Sequence, residues 1–339
     1  MTLTRRNILT LGLGALALGA VLMAVASSSH SFSRVQALPE IEDYWQARWL
    51  GSDALLLTPD LFDERLKDGK LKLSPMHFDL ATGKRTPLAF LPKDSIDPLP
   101  SPDGQWVLYK ESRGGGTGNA VPYGVRWRLV HTDGSETRFL PSDGSFQSVP
   151  DEIGEPLPCA YWLPDSSGWI SVTHRGSKYN QTLERFRLDA PNGAPEILTF
   201  PGGNIKSFNL EDISPDGRLV FTDYVEYTLQ LCAPVSGSVP TAPFRIIPPF
   251  GGLSQFTSDG NAALALFNVH KTGLTAWFAD LFHRPLDTVE LRRIPFSGAP
   301  PTALATNLPV TTSFNLSPDR KHVLIRSDQF YVVALEEGK

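Results

Sequence analysis

The chain has 339 residues and a formal net charge of −5, an acidic balance that excludes a body held on nucleic acid by a basic surface. Its 29 prolines, 28 glycines and 41% hydrophobic residues fit many short strands joined by turns around a large core, and exclude a disordered chain. Two cysteines, Cys159 and Cys232, are too few for a disulfide framework or a zinc site. They read as small buried hydrophobes, with a disulfide between neighbouring sheets as the alternative.

Met1 to Thr4 lead into Arg5-Arg6, and residues 8–26 carry no charge and end on Ala24-Val25-Ala26. A basic start, an apolar run and small residues at its end describe an export signal. Thr4-Arg5-Arg6-Asn7-Ile8-Leu9 resembles the twin-arginine signal, with Thr10 where that pattern prefers Lys. As a helix the run spans ~28 Å, close to the ~30 Å hydrocarbon layer. Residues 1–26 are therefore expected to be a cleaved signal or a membrane anchor, and the body periplasmic or otherwise extracytoplasmic. No Cys follows the run, which excludes a lipoprotein.

The body is organised around one turn. Ser101-Pro102-Asp103-Gly104 returns as Ser214-Pro215-Asp216-Gly217 and Ser317-Pro318-Asp319-Arg320, with weaker copies at Leu163-Pro164-Asp165 and Thr257-Ser258-Asp259-Gly260. Proline fixes φ at the second turn position, aspartate suits the third, and glycine takes a left-handed fourth. A buried strand follows each copy, as in Trp106-Val107-Leu108-Tyr109 or Val323-Leu324-Ile325. Third strands are expected at Met76–Leu80, Val125–Leu129, Leu183–Leu188, Tyr227–Leu231, Ala276–Leu281 and Phe330–Leu335. Outer strands closed by proline are expected at Leu88–Pro92, Thr137–Pro141, Ile197–Pro201, Phe244–Pro248 and Leu291–Pro295, because an edge tolerates proline. Residues 33–39 repeat the outer pattern at the other end of the chain, so they are expected to pair with Phe330–Leu335. The fold expected is an all-β, six-bladed β-propeller over residues 33–339, closed by that N-terminal outer strand and preceded by the hydrophobic signal or anchor helix.

The Ser-Pro-Asp-Gly turn before a hydrophobic strand resembles the repeats of TolB-like, or WD40-like, propellers. The resemblance covers most of the chain after residue 40 and implies the fold more than a function. TolB carries a separate α/β domain ahead of its propeller, for which the residues between signal and first blade leave no room. Propeller peptidases carry a hydrolase domain with a Gly-x-Ser-x-Gly elbow, and no such pentapeptide occurs here.

Chemistry is expected on the face that carries the connections from second to third strands. His174, Arg175, Asp223, His270 and Lys271 fall there as candidate ligand-binding residues. The plainer reading of His174 and His270 is two solvated loop histidines. The glycine-rich Arg113–Gly118 lacks the Lys-Ser/Thr of a phosphate loop. Asp143, Asp151, Glu152 and Glu155 form an acidic loop without EF-hand spacing. The seven tryptophans read as blade packing rather than a sugar platform. No catalytic residue, metal or cofactor is expected. The leading expectation is a monomeric, non-catalytic module that binds a protein or peptide at the cell envelope. The alternatives are a propeller-type hydrolase, lactonase-like or glycan-directed with a metal near the axis, and a carbohydrate-binding module.

Overall fold

The computed structural model describes residues 35–59, 74–93, 95–112, 125–140, 160–174, 181–190, 193–198, 208–223, 228–232, 244–245, 254–270, 287–310, 313–327 and 329–335. The chain enters on β1 (Val35–Leu38), followed by a 3-10 turn at Pro39–Ile41. β2 (Gln46–Trp49), β3 (Ala54–Thr58), β4 (Met76–Asp79) and β5 (Arg85–Pro87) form the first sheet. The second is β6 (Ile96–Pro100), β7 (Trp106–Ser112), β8 (Val125–His131) and β9 (Thr137–Phe139). β10 (Ala160–Trp162), β11 (Gly168–His174), β12 (Gln181–Arg187) and β13 (Glu196–Leu198) form the third. The fourth is β14 (Phe208–Ile213), β15 (Leu219–Asp223), β16 (Thr228–Cys232) and β17 (Phe244–Arg245). The fifth is β18 (Ser254–Phe256), β19 (Ala262–His270), β20 (Asp287–Pro295) and β21 (Thr302–Leu308). β22 (Ser313–Leu316), β23 (His322–Arg326) and β24 (Phe330–Ala334) form the last sheet, and β1 completes it.

This makes six four-stranded sheets among the described residues, every pairing antiparallel. Each meanders outward from an inner strand, so the molecule is an all-β propeller. The ends of the chain meet where the repeat pattern places them. Val35 stands opposite Val333 and Leu38 opposite Phe330. Leu38, at 1% exposure, packs with Ile41 and Tyr44 of the segment that follows it, with Trp49, Leu55 and Phe78 of the first sheet and with Leu324, Phe330 and Val332 of the last. Similar apolar layers lie between other neighbouring sheets, so the core is a series of seams rather than one centre.

The recurrent turn has a physical cause. Ser101 is buried; its Oγ donates to Asp103 Oδ1 at 2.5 Å and accepts from Trp106 N–H at 2.9 Å. Asp103 Oδ1 also accepts from Gln105 N–H at 3.0 Å, and Gly104 takes φ +70°. Serine and aspartate thus satisfy the amides that follow the turn, while Asp103 N–H donates to Ser166 Oγ of the neighbouring sheet at 3.0 Å. Ser317 and Asp319 repeat the arrangement, and Ser214 donates to Asp216 in the same way. Thr257 replaces serine in the fifth sheet and donates to Asp259 at 2.5 Å.

Two expected outer strands are corrected. In the first sheet the outer strand is Arg85–Pro87, and Leu88–Leu91 turns back on itself through a Leu91 N–H to Leu88 O bond of 3.2 Å. Leu291–Pro295 is the end of the third strand of its sheet, paired with β19, and the outer strand is Thr302–Leu308. Leu291 is fully buried, as a third strand between two neighbours should be, and Gly298 at φ +81° turns the chain outward. The third strand expected at Ala276–Leu281 is corrected as well, since β20 takes that place beside β19; residues 276–281 themselves lie outside the described residues.

Candidate binding site in the central channel

The inner strand of a propeller blade has one edge without a ladder partner, and its buried amides and carbonyls need other groups. Here side chains of neighbouring inner strands reach across every junction, and at five of the six they bond the backbone of that edge. Gln46 Nε2 donates to Asp97 Oδ1 at 3.2 Å between β2 and β6. Trp162 Nε1 donates to Leu99 O at 2.8 Å, and Tyr161 Oη to Leu210 O at 2.5 Å. Phe256 N–H donates to Asp212 Oδ2 at 2.7 Å, and Leu316 N–H to Gln255 Oε1 at 2.7 Å. Trp49 Nε1 donates to Asn315 O at 3.0 Å, joining the last sheet to the first. These clasps surround a cavity of about 1040 Å³ whose wall takes residues from all the inner strands.

The two ends of the cavity differ. One is rimmed by the recurrent turns, with Pro102, Pro164, Pro215 and Pro318 in its wall. There Arg320 holds the fourth turn position at φ +57°, where the other full copies have glycine. Its guanidinium donates to Asp212 Oδ2 at 2.7 Å, Phe256 O at 2.5 Å and Ile213 O at 2.8 Å. The Arg320 and Asp212 side chains are only 12% and 15% exposed. A register shift between Leu210 and Asp212 in β14 accompanies this contact; a bulge of this kind re-aims a side chain.

The other end, where the second strands finish, carries Trp45, whose backbone N–H donates to Thr58 O at the end of β3 at 3.1 Å. Trp45 is 49% exposed, one of the few large apolar side chains so exposed among the described residues. The Arg326 guanidinium lies 4.1 Å from the Trp45 ring centroid and 5.7 Å from that of Phe330. Ser327 Oγ donates to Val310 O at 2.6 Å, which brings the exposed Val310 beside the same mouth. Below Trp45, Gln46 and Arg48 line the wall.

Asp97 sits at this end with φ +46°. Its Oδ2 accepts from Lys110 Nζ at 2.9 Å, and the Lys110 side chain is 4% exposed. Burial works against the Asp97 carboxylate, but the charge and hydrogen bond of Lys110 and the hydrogen bond from Gln46 outweigh it and hold its pKa below the ordinary value. A depressed folded-state pKa gives stability that is present above the unfolded value, ~3.9, and is lost as pH falls through the folded one. The wild-type chain is therefore expected to melt above Asp97→Asn at pH 7, with the gap closing as pH is lowered from ~4. Thermal melts across that range check this; a constant gap down to pH 2 contradicts it.

Of the residues singled out by sequence, His174, Asp223 and His270 each close a second strand, β11, β15 and β19, toward the Trp45 end. His270 is exposed and bonds Asp287 Oδ1 of β20 at 2.5 Å, one strand out from the channel wall. Arg175, Lys271, the expected export segment with Arg5 and Arg6, the glycine-rich and acidic loops, and Cys159 lie outside the described residues. Among the described residues, no three His, Cys, Asp or Glu side chains gather as a metal site would need. No described helix is long and apolar enough to cross a membrane. Sequence reasoning missed Trp45, Arg320 and Asp212.

Clasped sheets around an axial cavity define a propeller with a central channel. No protein-family model and no curated protein sequence matches the chain. Solved structures similar to it include TolB from Acinetobacter baumannii, at 13% identity and TM-score 0.48, covering 78% of this chain and 60% of that one. Another is a protein assigned as TolB from Agrobacterium tumefaciens, at 16% identity and TM-score 0.45, covering 86% of this chain and 89% of that one.

Proposed function

We propose that the chain is an exported, non-catalytic propeller whose six sheets form one closed ring and which holds a protein or peptide partner at the Trp45 mouth of its channel. The observation that carries this reading is the half-exposed Trp45 stacked on Arg326 at the lip of a large cavity. Tryptophan and arginine dominate the energetics of protein interfaces, because each offers a large apolar face with a polar handle. Of the other described tryptophans, Trp49 and Trp162 are committed to clasps, Trp127 and Trp169 to a buried seam, and Trp106 packs against that seam. This speaks for a protein partner over a sugar platform.

Export is supported by Arg5-Arg6 and the uncharged run of residues 8–26. Val35 pairs opposite Val333, near the end of β24 that leads to the turn rim. An uncleaved anchor would hold that rim toward the membrane and point the Trp45 mouth away from it. A photoreactive side chain at Val310 in intact cells is expected to yield one discrete protein adduct. The same probe at Lys321, on the turn rim, is expected to yield none.

A further inference from the structure

We infer that Arg320 is a strap across the turn-side end of the channel, which narrows that end against large molecules. Arg320 belongs to the turn between β22 and β23, and the groups it holds end β14 and β18. Those are the inner strands of three consecutive sheets, clasped in series by Gln255 and Asp212. A side chain that starts on the first of three neighbours around a ring and ends on the third runs as a chord, and a chord lies inside the circle. The guanidinium therefore crosses part of the opening instead of following the rim.

Two local irregularities meet to make this contact. A left-handed backbone is unfavourable for arginine, and only surrounding structure that over-determines it holds it there. The shift in β14 turns Asp212 to receive it. Neither feature is needed for the turn itself, since Gly104 and Gly217 build the same turn without a strap. Asp212 also accepts from Phe256 N–H, so the strap's anchor is fixed to the fifth sheet as well as the fourth. Arg320, Asp212, Pro215 and Pro318 all belong to the cavity wall, which places the strap at the end of the cavity and not behind it.

The strap does not depend on what the mouth binds, so its test reads access rather than binding. In a full-length chain with Cys159 and Cys232 replaced by Ser, Asn315→Cys places a thiol in the channel wall near the turn rim. Ser327→Cys, in a separate chain, reports the mouth. Alkylation is followed with iodoacetamide and with a bulky maleimide, well below the melting temperature. Arg320→Gly and Asp212→Asn are each expected to speed the bulky reagent several-fold at position 315, while leaving iodoacetamide at 315 and both reagents at 327 unchanged. Unchanged bulky-reagent rates at 315 in both variants overturn the strap. Equal acceleration at 315 and 327 also overturns it, because Arg320 would then stabilise the ring without obstructing the channel.

Discussion

A chain beginning at Glu40 is expected to melt about 10 °C below one beginning at Ser27, and to aggregate more readily. The truncation removes β1. It takes away Leu38, fully buried in the seam between the first and last sheets, whose burial contributes roughly 1.5–3 kcal/mol. Val35, packed at the edge of the neighbouring seam, and the ladder from Val35–Val333 to Leu38–Phe330 go with it. A loss of about 3–5 kcal/mol at ~2–4 °C per kcal/mol gives the expected shift. The exposed edge would be Phe330–Ala334, an apolar, β-branched strand of the kind that recruits other chains. Differential scanning calorimetry and light scattering on the two chains check this. Equal melting temperatures and equal solubility would show that the closing strand contributes nothing to the ring.

Arg320→Gly is expected to destabilise the protein by about 2–4 kcal/mol, although it restores the repeat's own residue. Glycine at a left-handed position relieves strain, a gain of roughly 1 kcal/mol. Against that, the substitution removes the partner of a largely buried carboxylate, which typically costs about 3–5 kcal/mol. Denaturant unfolding reads the balance. Adding Asp212→Asn should recover part of the loss, because no uncompensated charge then remains. A stabilised Arg320→Gly variant would mean that the ion pair contributes less than the strain it imposes.

What the sequence disclosed follows from the range of the interactions involved. Ser-Pro-Asp-Gly turns hold most of their amides with their own residues, as Ser101 and Asp103 show, so they are legible in any single copy, whereas the bond from Asp103 N–H to Ser166 Oγ is long-range and was not. The closing strand was legible because it repeats a pattern, Val35 to Pro39, in register with the others. Leu291–Pro295 was misplaced because a proline-closed apolar run suits a third strand as well as an outer one. The signal that separates them was present: no turn precedes Leu291, and Ser297-Gly298 follows it. The clasps and the strap were not legible, since Asp212 and Arg320 are 108 residues apart and meet only through the ring. Trp45 escaped notice because tryptophans in such a chain mostly pack between sheets; only the fold shows that this one precedes β2 and stays half in water.

The most direct measurement compares photocrosslinking from Val310 and Lys321 in intact cells carrying the full chain. A single adduct from Val310 that is lost on Trp45→Ala, with none from Lys321, is the predicted result. An adduct from Lys321 that survives Trp45→Ala, with nothing from Val310, would place the partner on the turn rim and contradict the Trp45 mouth as the binding site.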